Sequence, residues 1–188
     1  MTGTDGPRTR RTARLAAVPV LALAVAGAVY LIARSVTPDY TTGLFGQHLD
    51  DAVRLKAWLA TVILALAGAQ LLLALWMYRR IPGVSAAPPA VARVHRVTGV
   101  VLFLCTVPIA VHCIQTYGLE LTPARAAVHA LSACFFYGAF AAKVLVVRSA
   151  RLPGWLLPLV GGLLVATIVL LWYTSALWFF NGYQSPGF

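Results

Sequence analysis

Four histidines are the side chains in this chain best suited to bind a cofactor or a metal ion. His48 lies in a polar stretch, His95 lies just before an apolar run that contains His112, and His129 lies on the next run. An ionisable side chain within an apolar run is costly to place in a membrane, and such residues often mark functional sites. A neutral imidazole can donate a nitrogen lone pair to haem iron or to another metal ion.

His112 and His129 form a symmetric pair around a short turn. His112 precedes Gly118 by six residues, and His129 follows Pro123 by six residues. At about 1.5 Å of rise per residue, both lie roughly 9 Å from the turn on antiparallel helices. A cofactor held by two imidazoles needs two histidines at the same depth. We therefore predict that His112 and His129 bind one haem b or, alternatively, a metal ion.

Two more basic side chains could belong to this site. Arg125 precedes His129 by one helical turn, where a cation could bind a haem propionate. His95 is a weaker cofactor-binding candidate, because an ideal helix places it about 25 Å from His112, near the opposite membrane surface. The sequence leaves the roles of His95 and His48 open.

A structural role is the alternative for these histidines. Polar side chains in membrane bundles often form hydrogen bonds between helices. Adjacent helices about 8–10 Å apart also leave little room for a porphyrin between them. The sequence does not decide between a cofactor site and histidines that only tie helices together.

The elements that must position these residues are membrane-spanning helices. Of the 188 residues, 60% are hydrophobic and only 11% are charged, whereas soluble domains carry about 25% charged residues. Five apolar runs have the roughly 20 residues that a helix needs to cross a bilayer. They cover residues 15–33, 55–78, 97–117, 124–147 and 156–180. We predict an all-α bundle of five transmembrane helices, with residues 15–182 as one membrane domain.

The placement of basic residues predicts the orientation of this bundle, because cytoplasmic loops are enriched in Arg and Lys. One side would hold Arg8, Arg10, Arg11, Arg14, Arg79, Arg80, Arg93, Arg96, Arg148 and Arg151. The other side would hold only Arg34, Arg54, Lys56 and Arg125. Residues 1–14 are therefore predicted to be a basic cytoplasmic tail, and residues 183–188 an outer C-terminal tail. The net charge of +10 reflects this topology and does not indicate nucleic-acid binding.

Several short segments form a recognisable set: Val94–Gly99, Pro108–Cys113, His129, Phe136–Phe140 with Lys143, Leu152–Trp155 and Thr174–Phe179. Over roughly residues 50–182 the chain resembles, in these segments, an uncharacterised bacterial family of five-span membrane proteins. The family is a domain of unknown function. The resemblance therefore implies the fold and a membrane location, and no activity.

A looser similarity links the chain to transmembrane cytochromes b of the ascorbate-reducing and ferric-reducing type. These proteins have a His-Arg-x-x-Gly-like helix start, as at His95–Gly99, and histidine ligands within a four-helix core. The present chain departs from this pattern because its second and fifth apolar runs contain no histidine. Transmembrane histidines could therefore bind one haem at most.

Two functions remain at this point. The first is an integral membrane redox protein with one haem b or metal site near the outer face, exchanging electrons with a quinone or an extracytoplasmic redox protein. The second is a non-catalytic membrane subunit or scaffold. In either case we expect a multi-pass protein of the bacterial cytoplasmic membrane. Whether it is an enzyme and how it oligomerises stay open.

Overall fold

The computed structural model describes residues 7–149, 152–184 and 187, with side chains from residue 15 onward. Of the predicted N-terminal tail, residues 1–6 lie outside the described residues, and residues 7–14 form the start of the first helix. Of the predicted C-terminal tail, residues 185, 186 and 188 lie outside them as well.

Five long helices account for the predicted spans. They are α1 (Pro7–Ser35), α2 (Leu49–Met77), α3 (Pro89–Tyr117), α4 (Ala124–Arg148) and α5 (Leu156–Trp172), the last continued by a π-turn (Tyr173–Leu177) and a short α6 (Trp178–Phe180). Each of the five spans is long and apolar enough to cross a membrane. The all-α, five-span prediction is confirmed, and the protein is an integral membrane protein by the length and composition of its helices.

Besides α1, two helices begin earlier than the apolar runs indicate. α2 starts at residue 49, with Asp50 and Asp51 in its first turn, where carboxylates interact favourably with the helix dipole. α3 starts at Pro89, a residue suited to the first helical position because it has no N–H to leave unpaired. These polar or proline-containing turns extend each helix beyond its apolar run.

The fifth span is interrupted near its end. The regular α-helix stops at Trp172, and residues Tyr173–Leu177 form a wider π-turn before α6 continues the same path. Such turns are rare and are often found at functional sites. The hydrophobic pattern of this span gives no sign of the interruption.

The helices pack in the order α1, α4, α5, α2 and α3, each against the next. α3 and α4 are bridged by side chains. The Phe103 and Phe140 rings stack with centroids 3.8 Å apart, and the Tyr137 hydroxyl donates to the Thr106 hydroxyl at 3.3 Å. The largest core cluster lies among α2, α3, α4 and α5, so α1 is peripheral.

Contact between α1 and α4 depends on Gly138. A Cβ placed at this position would overlap the backbone carbonyl of Ala22 on α1. By contrast, a Cβ at Gly68, Gly161 or Gly162 would meet no atom within 4 Å. Gly138 therefore lets α1 approach α4, as small residues do in membrane interfaces.

The antiparallel helices define two ends of the bundle. The α1–α2 end contains residues 36–48, the turn 118–123 and the end of the fifth span. The α2–α3 end contains residues 78–88 and the connection that follows Arg148.

Candidate functional site

A cavity of about 520 Å³ lies inside the bundle, in the half nearer the α1–α2 end. All five spans contribute to its wall, which consists largely of alanine, isoleucine and aromatic side chains. The Phe136, Tyr137 and Trp172 rings are among these. Ligand pockets typically have volumes of about 300–1,000 Å³ and a mainly apolar lining with few polar groups, and this cavity has both properties.

Charged side chains line the cavity toward the α1–α2 end. Lys56 donates to the Tyr117 hydroxyl at 3.3 Å, with its Nζ 4.5 Å from the centre of the same ring. Glu120 also lines the cavity. Within the described residues, the one ion pair is Arg54–Asp51, at 3.8 Å. Lys56 therefore has no carboxylate partner there.

Arg125 is the second cation of the cavity. Its Nη1 donates to the carbonyl of Thr174 at 2.7 Å, and its Cζ lies 3.9 Å from the centre of the Trp178 ring. These two contacts hold the guanidinium against the π-turn and the residue that follows it. Arg125, Lys56 and Glu120 thus place two cations and one carboxylate at the same end of an apolar cavity.

His129 is the only histidine among the cavity-lining residues. Its Nδ1 lies 3.0 Å from the hydroxyl of Thr174, a fully buried residue of the π-turn. No described residue meets the geometry of a hydrogen bond to Nε2, and the Leu171 carbonyl also lies near the ring. The ring therefore has one nitrogen anchored to the protein and the other available to a ligand.

His112 lines a different, smaller cavity of about 190 Å³, beside Asp50 and Thr116. Its Nε2 donates to the carbonyl of Thr42 at 3.1 Å, and its side chain is only 3% exposed. His48 behaves similarly, since its Nδ1 donates to the neighbouring carbonyl of Thr41 at 3.1 Å. Both histidines therefore bind consecutive carbonyls of residues 36–48.

A carboxylate also organises residues 36–48. The Asp39 carboxylate accepts hydrogen bonds from the Thr41 hydroxyl at 2.6 Å and from its amide at 2.9 Å. These bonds, the hydroxyl first, lower the pKa of Asp39 below its usual value. The Asp39 amide in turn donates to the carbonyl of Gln115 at 3.0 Å. The segment is thus attached to the last turn of α3.

His95 lies in the other half of the bundle. Its Nδ1 is buried and has no hydrogen-bond partner among the described residues. Lys143 on α4 is close enough to interact with it electrostatically. Gln70 on α2 is hydrogen-bonded to Thr98, one turn further along α3. His95 does not line the central cavity.

The four predicted site residues thus have different surroundings. His129 and Arg125 are brought together, since both contact Thr174 and both line the central cavity. His112 lines the smaller cavity, and His95 lies in the opposite half of the bundle. Among the described residues there is no group of three or more His, Cys, Asp or Glu side chains that could hold a metal ion.

Other residues of the site are absent from the sequence-based prediction. Cys113 and Cys134 both line the central cavity, and both are free thiols. Lys56 could have been found from the sequence, because it is a basic residue at the edge of an apolar run. Thr174 could not, because a buried threonine in an apolar span gives no distinctive signal.

Comparison with known proteins identifies a family. The family model described as "Family of unknown function (DUF6529)" matches residues 15–187. The chain therefore belongs to this family, and the predicted resemblance to a family of unknown function is confirmed. No curated protein and no solved structure matches the chain.

Proposed function

We propose that this member of the DUF6529 family is a membrane redox protein that holds one haem b in its central cavity. His129 is the proposed ligand of the iron. The observation that carries the proposal is the state of the His129 ring. Nδ1 is bonded to the buried hydroxyl of Thr174, while Nε2 has no partner among the described residues of the chain. Histidines that bind metals typically donate their second ring nitrogen to a neighbouring acceptor in this way.

The lining and the charge of the cavity support a ligand that is apolar in its body and anionic at one edge. The aromatic and aliphatic wall suits the body of a porphyrin. Lys56 and Arg125 lie toward the α1–α2 end, without carboxylate partners within 4.0 Å among the described residues. Propionate groups directed to that end would form charge-assisted hydrogen bonds with both cations.

One histidine faces this cavity, which supports a haem with a single protein nitrogen ligand. Nε2 of His112 donates to the carbonyl of Thr42, and His112 lines the smaller cavity. The pair of imidazoles predicted from the sequence is therefore replaced, in this proposal, by His129 alone. A haem bound in this way would exchange single electrons with a membrane quinone or with a redox protein outside the membrane.

A non-catalytic membrane subunit is the second candidate, and a specific observation favours it. His48 and His112 bind the carbonyls of Thr41 and Thr42, and His129 binds Thr174. Three of the four histidines thus have a partner within the protein. If these contacts are the only role of the histidines, they hold the helices and residues 36–48 together, and the protein binds no cofactor.

The two candidate functions predict different colours for the purified protein. Protein purified in mild detergent, from cells supplied with haem precursor and trace metals, is expected to show a b-type dithionite-reduced minus oxidised spectrum. A metal analysis of the same preparation tests the alternative that His129 binds a metal ion instead. A colourless and metal-free preparation would contradict the redox proposal and favour the scaffold.

The orientation that we propose places the N-terminus in the bacterial cytoplasm and the central cavity near the outer face of the cytoplasmic membrane. It rests on the excess of basic residues at the α2–α3 end and on the enrichment of cytoplasmic loops in such residues. New cysteines at Asp39 and Gln184 should react with an impermeant thiol reagent in intact cells, in a background without the native cysteines. A cysteine at Val84 should react only after permeabilisation, and its labelling in intact cells would reverse the orientation.

A further inference from the structure

We propose that Thr174 is a positioning residue that holds His129 in the tautomer with its proton on Nδ1. In this tautomer Nε2 keeps its lone pair for a ligand in the central cavity. The tautomer is a property of the protein alone, whereas its use in binding haem rests on the proposed function. Thr174 lies in the π-turn, and its hydroxyl oxygen is 3.0 Å from Nδ1 of the ring.

The hydrogen of the Thr174 hydroxyl has a defined acceptor. The Oγ1 atom lies 2.8 Å from the carbonyl of Leu170 and 3.2 Å from that of Leu171. Carbonyls only accept hydrogen bonds, so the single hydroxyl hydrogen points toward them. Because Thr174 is 0% exposed, no solvent molecule competes for it.

With the hydroxyl hydrogen on the Leu170 carbonyl, the His129 ring is the donor to Thr174. Its Nδ1 lies 3.0 Å from an oxygen whose hydrogen is already used. If Nδ1 carried no proton, the hydroxyl hydrogen would have to turn from the Leu170 carbonyl toward Nδ1 and give up its 2.8 Å hydrogen bond. A neutral imidazole has one N–H, so a proton on Nδ1 leaves Nε2 as the nitrogen with the lone pair.

A competing acceptor lies nearby. The carbonyl of Leu171 is also close to the His129 ring. It already accepts a hydrogen bond from the Ser175 hydroxyl at 2.6 Å and lies 3.2 Å from that of Thr174. Of the two, Thr174 is the one that meets hydrogen-bond geometry, with its hydroxyl oxygen 3.0 Å from Nδ1.

The same residue also fixes Arg125. The Thr174 carbonyl accepts from Nη1 of Arg125 at 2.7 Å, while its hydroxyl accepts from His129 at 3.0 Å. A single buried residue of the π-turn therefore sets the positions of the proposed iron ligand and of one proposed propionate partner. The π-turn is not needed to continue the helix across the membrane, and π-turns are frequent at functional sites.

The tautomer can be read directly by nitrogen NMR of protein labelled with 15N-histidine and free of haem. The His129 signals, assigned from a His129→Gln variant, should show the Nδ1–H form in the wild type. Thr174→Val removes the acceptor at nearly constant volume and should shift the ring toward the Nε2–H form. Thr174→Ser keeps the hydroxyl and should preserve the wild-type tautomer.

A matched control is available on the same membrane span. Thr167 is also buried, and its hydroxyl also donates to a carbonyl one turn back, at 2.7 Å from Leu163. It has no histidine partner, so Thr167→Val should leave the tautomer of His129 unchanged. If Thr174→Val does not fold, Thr174→Ala gives the same test. A wild-type Nε2–H form, or an unchanged tautomer in the valine or alanine variant, would overturn the proposal.

Haem titration separates this inference from the proposed function. Loss of a residue that orients a metal ligand typically weakens metal affinity by about 10–100-fold, and we expect a loss of this size for Thr174→Val with haem. If the tautomer shifts as expected but the wild type binds no haem, only the proposed function fails. If the wild type binds haem and the valine variant binds it equally well with an unchanged tautomer, only the role of Thr174 fails.

Discussion

Replacing His129 with alanine is expected to abolish haem binding, whereas replacing His112 with alanine is expected to leave it intact. His129 alone among the histidines lines the central cavity, and its Nε2 has no competing partner among the described residues. The Nε2 of His112 is occupied by the carbonyl of Thr42. The measurement is the amount of b-type haem per purified chain in each variant.

The two variants form a matched pair for stability. Each removes one imidazole that bonds to another segment of the protein. Hydrogen bonds between helices in lipid contribute about 0.6 kcal/mol on average, so both variants should retain the fold to a similar extent. Loss of haem in His112→Ala, with haem retained in His129→Ala, would reverse the assignment. Loss in both variants would favour the paired imidazoles predicted from the sequence.

Gly138→Ala is expected to have the largest effect on stability of any single methyl addition to the described glycines within the spans. The new Cβ would overlap the backbone carbonyl of Ala22 on α1, which cannot turn aside as a side chain could. Overpacking of this kind costs about 1–3 kcal/mol. It outweighs the gain of up to about 1 kcal/mol that alanine offers over glycine within a helix. The measurement is the free energy of unfolding in detergent.

Gly161→Ala is the control for this prediction. A Cβ at Gly161 meets no atom within 4 Å, so this variant should be as stable as the wild type or slightly more stable. Equal stabilities for Gly138→Ala and Gly161→Ala would show that α1 does not depend on close contact with α4. Because α1 also lines the central cavity, through Val29 and Ala33, Gly138→Ala should weaken ligand binding as well.

The architecture could be predicted from the sequence because a bilayer imposes one simple requirement. A run of about 20 apolar residues is long enough to cross it as a helix, and all five runs do form such helices. The helix starts at Leu49 and Pro89 could not be placed in this way, because their first turns are polar or contain proline. The π-turn at Tyr173–Leu177 depends on packing, so the hydrophobic pattern of the sequence could not predict it either.

The site was only partly predictable, for a geometric reason. Counting residues from the turn between α3 and α4 gives the depth of His112 and His129 in the membrane. The count does not show which side of each helix faces the cavity, because that depends on how the helices pack. His129 lines the cavity with Arg125 as its neighbour, whereas His112 lies beside the segment that contains Thr42. The anchor at Thr174 follows from the same packing.

The spin state of the purified ferric protein tests the central claim, a single haem bound through His129 alone, most directly. Because His129 is the one histidine that lines the cavity, a haem held there would have a single imidazole ligand, as in globins and peroxidases. We expect a high-spin ferric spectrum by electron paramagnetic resonance, with one haem b per chain. A low-spin bis-histidine spectrum would contradict the assignment to His129 alone, and the absence of any haem would contradict the redox function itself.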